Sequence, residues 1–220
     1  LAHREAEAAR SLDRAGLHRM ERAARLNRLH PDYRHDLAMA MLNLGPIDAD
    51  RYAVSSRHLE EARRLKPIDY RFPLLLARLE ARVGERIFGD AAAIGRANDL
   101  YRESARLSPR DPRPLLEWGG HLSAIGSPGA AIEVLERALR LEPRFLRAAA
   151  LKASVLLDLG DLEGARSAFL SLASARDGLQ SYRPDSSYAR DIVRLDPNEW
   201  ERLRAALDIV RDPDGLPSNR

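Results

Sequence analysis

Four short stretches punctuate this chain in the same way: LHPDY around Pro31, LKPIDY around Pro67, LSPRDP around Pro109 and LEPRF around Pro143. In each, an apolar residue and a polar one precede the proline, and successive prolines stand 36, 42 and 34 positions apart. A period near 34 with insertions predicts an array of helix pairs, in which each pair buries its apolar face only against its neighbours. Proline suits the end of the second helix of each pair, because it has no backbone N–H and its ring clashes with the preceding turn. The residue supply points the same way. Thr is absent and Val plus Ile number 14 of 220 residues, too few to furnish a sheet. Ala, Leu, Arg and Glu dominate, and all are strong helix formers. Without Cys the chain has no disulfide, no thiol nucleophile and no Cys-ligated metal.

The clearest unit is residues 112–145. Leu115, Trp118, Gly119 and Leu122 fall on one helical face, the spacing of 3, 1 and 3 being that of an α-helix. Gly126 and Pro128 break the chain, and Ala131, Leu135, Ala138 and Leu141 form the facing stripe of a second helix. Small residues at Gly119, Ala131 and Ala138 predict a close helix crossing, with Trp118 and Leu135 filling the space around it. Residues 146–179 repeat the pattern through Ala149, Ala153 and Leu156, a Gly160-Asp161 turn, and Ala165, Phe169 and Leu172.

These positions resemble the tetratricopeptide repeat (TPR), whose pattern runs large apolar, Leu-Gly, aromatic, Gly-Asp turn, Ala, aromatic, Ala and Pro. Residues 34–69 (Leu37, Ala40, Met41, Leu44, Leu59, Ala62) and 70–111 (Leu76, Ala77, Gly84, Ala97, Tyr101) match more loosely, with two and eight extra residues. The longer insertion falls at about residues 85–92. Three departures stand out: Lys152 where Leu is usual, Glu80 where an aromatic is usual, and Pro73 early in a first helix. The resemblance implies an all-α fold, a right-handed α-solenoid of TPR-like helix pairs. The expected organisation is one or two N-terminal helices in 1–33 (at 2–12 and 18–29), four repeats at 34–69, 70–111, 112–145 and 146–179, and capping helices in 180–210. Those caps are expected at 188–195 and 199–210, the latter N-capped by Asn198, after a polar loop at 180–187. A disordered tail is expected at 211–220.

No catalytic constellation is legible. The six histidines form no H-E-x-x-H frame; His30 and His35 flank a proline; no phosphate-cradling glycine motif is present. The acids Asp48, Asp50, Glu60 and Glu61 read as helix-terminus and surface acids. The reading is therefore of a segment that is not an enzyme and needs no cofactor or metal. Nucleic acid is not expected, because stacking aromatics are scarce and most sit at packing positions. Charge is only mildly asymmetric: residues 1–110 carry 21 basic and 16 acidic side chains, and residues 111–220 carry 15 and 17. No stretch is apolar enough to span a bilayer.

The TPR resemblance implies a groove lined by the first helix of each pair, which takes a peptide or partner helix. The second place of each first helix gives the column His35, Arg71, Arg113 and Arg147, with Arg78 and Arg82 facing the same way. Guanidinium binds carboxylates in bidentate fashion, and Leu74, Leu116 and Leu151 would add apolar anchors, so the expected partner is a protein or peptide mixing acidic and apolar residues. Such a chain is a scaffold for protein interaction. A second resemblance rests on residues 23–31 (AARLNRLHP) followed by 32–45: this is similar to the soluble region that follows the membrane helices in bacterial O-antigen ligase and polymerase-like proteins. It implies a bacterial protein, on the cytoplasmic or periplasmic side, tethered to a membrane by sequence upstream of Leu1, with glycan-ligase chemistry residing in those absent segments. A chain that opens on Leu fits a piece of a longer protein.

Overall fold

The computed structural model describes residues 14–43, 48–84, 90–179 and 181–207. The expected helix at 2–12, the insertion residues 85–89 and the tail 211–220 lie outside these. All regular structure among the described residues is helical: α1 Arg14–Leu26, α2 Pro31–Asn43, α3 Ala49–Leu65, α4 Arg71–Arg82, α5 Ala91–Leu107, α6 Arg113–Ala124, α7 Pro128–Leu141, α8 Leu146–Asp158, α9 Leu162–Asp177, α10 Ser187–Val193 and α11 Pro197–Ala206. They fall into two compact units, Leu1–Ser108 and Pro109–Arg220. In the first, α2 pairs with α3 and α4 with α5; in the second, α6 pairs with α7 and α8 with α9. This is the all-helical architecture of a TPR-like array.

The proline rule holds at three of four places. Helices α3, α5 and α7 stop at Leu65, Leu107 and Leu141, two residues before Pro67, Pro109 and Pro143. Pro31 behaves differently. Helix α1 already ends at Leu26, and Pro31 is the first residue of α2, where its fixed φ suits the helix and its missing N–H is no loss. The helix expected at 18–29 is accordingly shifted towards the N-terminus.

Turn chemistry explains the pairs of the second unit. Gly126 and Gly160 both adopt φ of 76°, the left-handed region that a side chain disfavours. Each closes its helix with the same two bonds: the Ser127 N–H reaches the Leu122 carbonyl and the Asp161 N–H reaches the Leu156 carbonyl, beside Gly126 to Ser123 and Gly160 to Leu157. These are Schellman closures. Asp161 then caps α9 by accepting from the Gly164 N–H at 2.9 Å.

The expected close crossing is present. Ala131 and Ala138 are fully buried, and a Cβ on Gly119 would stand 2.7 Å from Leu135 Cγ. No room remains for added carbon, so Ala131→Leu is predicted to cost ~1–3 kcal/mol through overpacking. An unchanged thermal midpoint in that variant would show the crossing to be looser than this.

Each unit has its own core. In the first, Ala38, Leu59, Leu75, Leu76, Leu79, Val83 and Ala93 cluster across α2 to α5. In the second, Ala149, Ala153, Leu156, Ala165, Phe169 and Leu172 of α8 and α9 join Trp200, Leu203 and Leu207 from the C-terminal segment. Helix α11 thus packs against the last pair. Its N-cap is Asp196 and not Asn198: the Asp196 carboxylate accepts from the Asn198 N–H at 2.9 Å. With Pro197 at the first helical position, Asn198 is already inside the helix.

Candidate functional site

The first helices carry the residues expected to form a binding face, and each unit arranges its own. In the first unit, Arg71 opens α4, with Arg78 and Arg82 exposed on the same helix. Spacings of seven and four keep the three on one side. Arg71 is held by acids of its own chain. Its Nε meets Asp69 Oδ1 at 2.9 Å, and its Nη2 meets both Asp69 Oδ2 and Asp32 Oδ1 at 2.7 Å. The bonds from Arg71 hold the Asp69 carboxyl well below the usual carboxylate range, and Asp69 in turn pushes the Arg71 guanidinium up. His35 Nδ1 lies 3.0 Å from Asp36 Oδ1, with its ring against Phe72. Leu74 is buried.

The second unit repeats the device at the start of α6. Arg113 Nε and Nη2 meet Asp111 at 2.9 and 2.6 Å. A second acid, Asp191 of α10, stands 3.5 Å from Arg113 Nη1, and the Tyr188 ring lies 5.1 Å beneath the guanidinium. Leu116 is buried and Leu151 half-buried. Arg147 is exposed on α8, and its charge is felt by the half-buried Glu199 of α11. Burial raises the Glu199 carboxyl, while Arg202 opposes the rise. Arg202 also donates to Ser154 Oγ of α8 at 2.7 Å.

Sequence reasoning identified the arginines but missed their partners. The signal was available. Asp69 and Asp111 each stand two residues before an arginine of the column, in the frames Asp-Tyr-Arg and Asp-Pro-Arg. At that spacing an acid at the helix entrance bonds both the backbone N–H and the guanidinium of the arginine, as Asp111 does at 3.0 and 2.9 Å. Asp191 could not have been found this way, because 78 residues separate it from Arg113.

Two cavities leave no mark in the sequence. One of about 430 Å³ lies among α7, α8 and α9 over Ile132, Leu139 and Leu156, with the Lys152–Glu136 ion pair of 2.8 Å at its side. That pair accounts for Lys152 at a leucine position. The other, of about 520 Å³, lies among α1, α2 and α3 and is lined by Arg25, Arg28, Arg34, Arg57, His58 and Glu61. Arg34 binds Glu61 and donates to the Arg28 carbonyl at 3.1 Å. Burial holds the His58 imidazole below its ordinary value of 6.5; Arg34 and Arg57 add to this, and Glu61 and Glu21 oppose it. The folded chain therefore resists a proton that the unfolded chain accepts near pH 6.5, so His58 makes stability fall as pH drops below that value. His58→Gln is predicted to flatten the decline in thermal midpoint between about pH 7 and pH 5; parallel profiles would refute it.

Among the described residues no group of three His, Cys, Asp or Glu side chains could hold a metal ion, and no helix is long and apolar enough to cross a membrane. The arrangement offers guanidinium groups on helical faces, suited to binding carboxylates beside apolar side chains.

A paired-helix array with charged first-helix faces defines a class of repeat protein, and solved structures agree on the fold. TTC0263, a thermophilic TPR protein of Thermus thermophilus, superposes over 95% of this chain and 100% of its own with a TM-score of 0.63 at 18% identity. MamA from Desulfovibrio magneticus RS-1 covers 82% of this chain and 97% of its own, with a TM-score of 0.65 at 14% identity. YrrB, a TPR protein with an unusual peptide-binding site, covers 83% and 84% with a TM-score of 0.56 at 14% identity. The chain is thus similar in fold to TPR proteins. No protein-family model and no curated protein matches its sequence. None of these comparisons supports the resemblance to O-antigen ligase-like proteins.

Proposed function

We propose that this chain is a TPR-type scaffold that binds a partner protein or peptide on its first-helix faces, and that the bound segment mixes acidic and apolar residues. The repeats doing so are those at 34–69, 70–111, 112–145 and 146–179, with 180–210 as the cap; the chain acts as a binding module and not as a catalyst. One observation carries the reading: Arg113 already receives a carboxylate, from Asp191, and an aromatic ring, from Tyr188, both supplied by a helix outside the repeats. A face that accepts this pair from its own chain has the chemistry to accept it from another. The peptide-binding site of YrrB agrees with such a use of the fold. Arg71, Arg78 and Arg82 in the first unit, and Arg113 and Arg147 in the second, supply the charge. Leu74, Leu116 and Leu151 shape the apolar floor, and His35 lies one turn inside α2 with its ring against Phe72.

Exposed ion pairs are weak, about 0.2–1 kcal/mol each, so affinity depends on apolar contacts that exclude water. The test is selection from a displayed library of random peptides, followed by synthesis and titration of the winners. Enriched sequences are predicted to combine acids with aromatic or aliphatic residues. The triple reversal Arg71→Glu, Arg113→Glu and Arg147→Glu is predicted to weaken them about tenfold or more, with loss of salt dependence. Winners that ignore the reversal would place binding on another face.

A further inference from the structure

We infer that α10 is an internal occupant of the first-helix face of the second unit, and that the partner this face fits is a short amphipathic helix presenting an aromatic, an acidic and an aliphatic residue at positions i, i+3 and i+4. The inference rests on the functional reading above and names both the class of partner and what that partner must displace.

Three observations carry it. First, Tyr188, Asp191 and Ile192 have the spacing of one helical face. Two of them meet one arginine: the Tyr188 ring lies under the Arg113 guanidinium at 5.1 Å, and Asp191 Oδ2 is 3.5 Å from it. Ile192, 4% exposed, is the one buried residue of α10. Second, α10 packs against α8, the next first helix, while reaching Arg113 on α6. It therefore lies across first helices, where a bound segment would lie. Third, α10 is lightly held compared with α11. Helix α11 puts Trp200 and Leu203 into the core, followed by Leu207, with Trp200 4.6 Å from the Phe169 ring and 4.2 Å from the Arg176 guanidinium. Helix α10 has seven residues, too few to be stable alone, and it follows a polar stretch that contains Pro184. It can leave without opening the core that α11 closes.

An occupant on the same chain acts at a high effective concentration. A partner of equal intrinsic affinity then binds weakly, because its site is filled for most of the time. Releasing α10 removes that competition.

The probe is a fluorescein-labelled synthetic peptide of residues 185–197 (DSSYARDIVRLDP), titrated by anisotropy against the full chain. Tyr188→Ala with Asp191→Asn releases α10 and changes only side chains that contribute little to the core. The released chain is expected to bind the peptide about tenfold more tightly than the wild type, as follows when a competent fraction rises from about a tenth to nearly one. Adding Arg113→Glu is expected to abolish that binding, and a peptide carrying the same two substitutions is expected not to bind. Hydrogen exchange at residues 187–193 is expected to quicken in the released chain while α11 stays protected. Equal binding by wild-type and released chains, or binding by neither, would overturn the inference. If library-selected peptides still bind through Arg113 in that case, the scaffold reading stands and only the internal occupant is lost; if they do not, both fail.

Discussion

Phe169→Ala is expected to cost ~3–5 kcal/mol. Phe169 is 1% exposed at the middle of α9. Its ring packs at an interplanar angle of 31° against Trp200, which also meets the Arg176 guanidinium. Removing the ring takes away its own burial and also the surface on which Trp200 rests, so the cavity is flanked by a large side chain that has lost its main partner. Partial collapse of Trp200 into the gap sets the lower end of the range. Thermal or urea unfolding of the second unit measures the effect. A loss under about 1 kcal/mol would mean that α11 repacks freely and does not seal the last pair.

The same residue illustrates what the sequence made legible. Phe169, Ala165 and Leu172 were readable as one helical face because a period of about 3.6 needs only neighbours along the chain. The close crossing at Gly119, Ala131 and Ala138 was readable because small residues recur at fixed places in two helices joined by a short turn. The turns at Gly126 and Gly160 were readable as turns, while their Schellman closure shows only in the backbone bonds. By contrast, Pro31 was misread. A proline two residues beyond a helix end and a proline at the first position of the next helix have the same local sequence, and only the end of α1 at Leu26 tells them apart. The cap of α11 shifted by two residues for a similar reason, since Asp196 and Asn198 flank one proline and either can accept a backbone N–H. At the candidate site the column of arginines was legible as chemistry and its state was not. The acid two residues before Arg71 and before Arg113 marks one carboxylate partner in sequence, but Asp191 reaches Arg113 only through the fold.

Glu80 was visible as a departure without an explanation, and its network supports the second large effect. Arg96→Ala is expected to destabilise the first unit by ~2–3 kcal/mol. Glu80 is 4% exposed in the last turn of α4. Its carboxylate accepts from the Tyr52 hydroxyl of α3 at 2.7 Å and from Arg96 of α5 at 3.0 and 2.9 Å. One acid thus ties α4 to both helices that flank it. Burial first, and the Glu80 carboxylate second, push the Tyr52 phenol up and keep it a donor. Without Arg96 the carboxylate stays buried with, among the described residues, a single neutral partner, the Tyr52 hydroxyl. Stripping one member from a buried ion pair typically costs ~3–5 kcal/mol; the lower figure applies here because Arg96 is half-exposed and water can take part of its place. The converse change is expected to be mild. Tyr52→Phe with Glu80→Leu removes donor and acceptor together and restores an apolar residue at a place where TPR-like helices carry one, so it should lie within about 1 kcal/mol of the wild type. Urea unfolding of the two variants decides the matter. If Arg96→Ala proves the milder of the two, the Glu80 carboxylate is held by something other than this pair, and the departure from the repeat pattern has another cause.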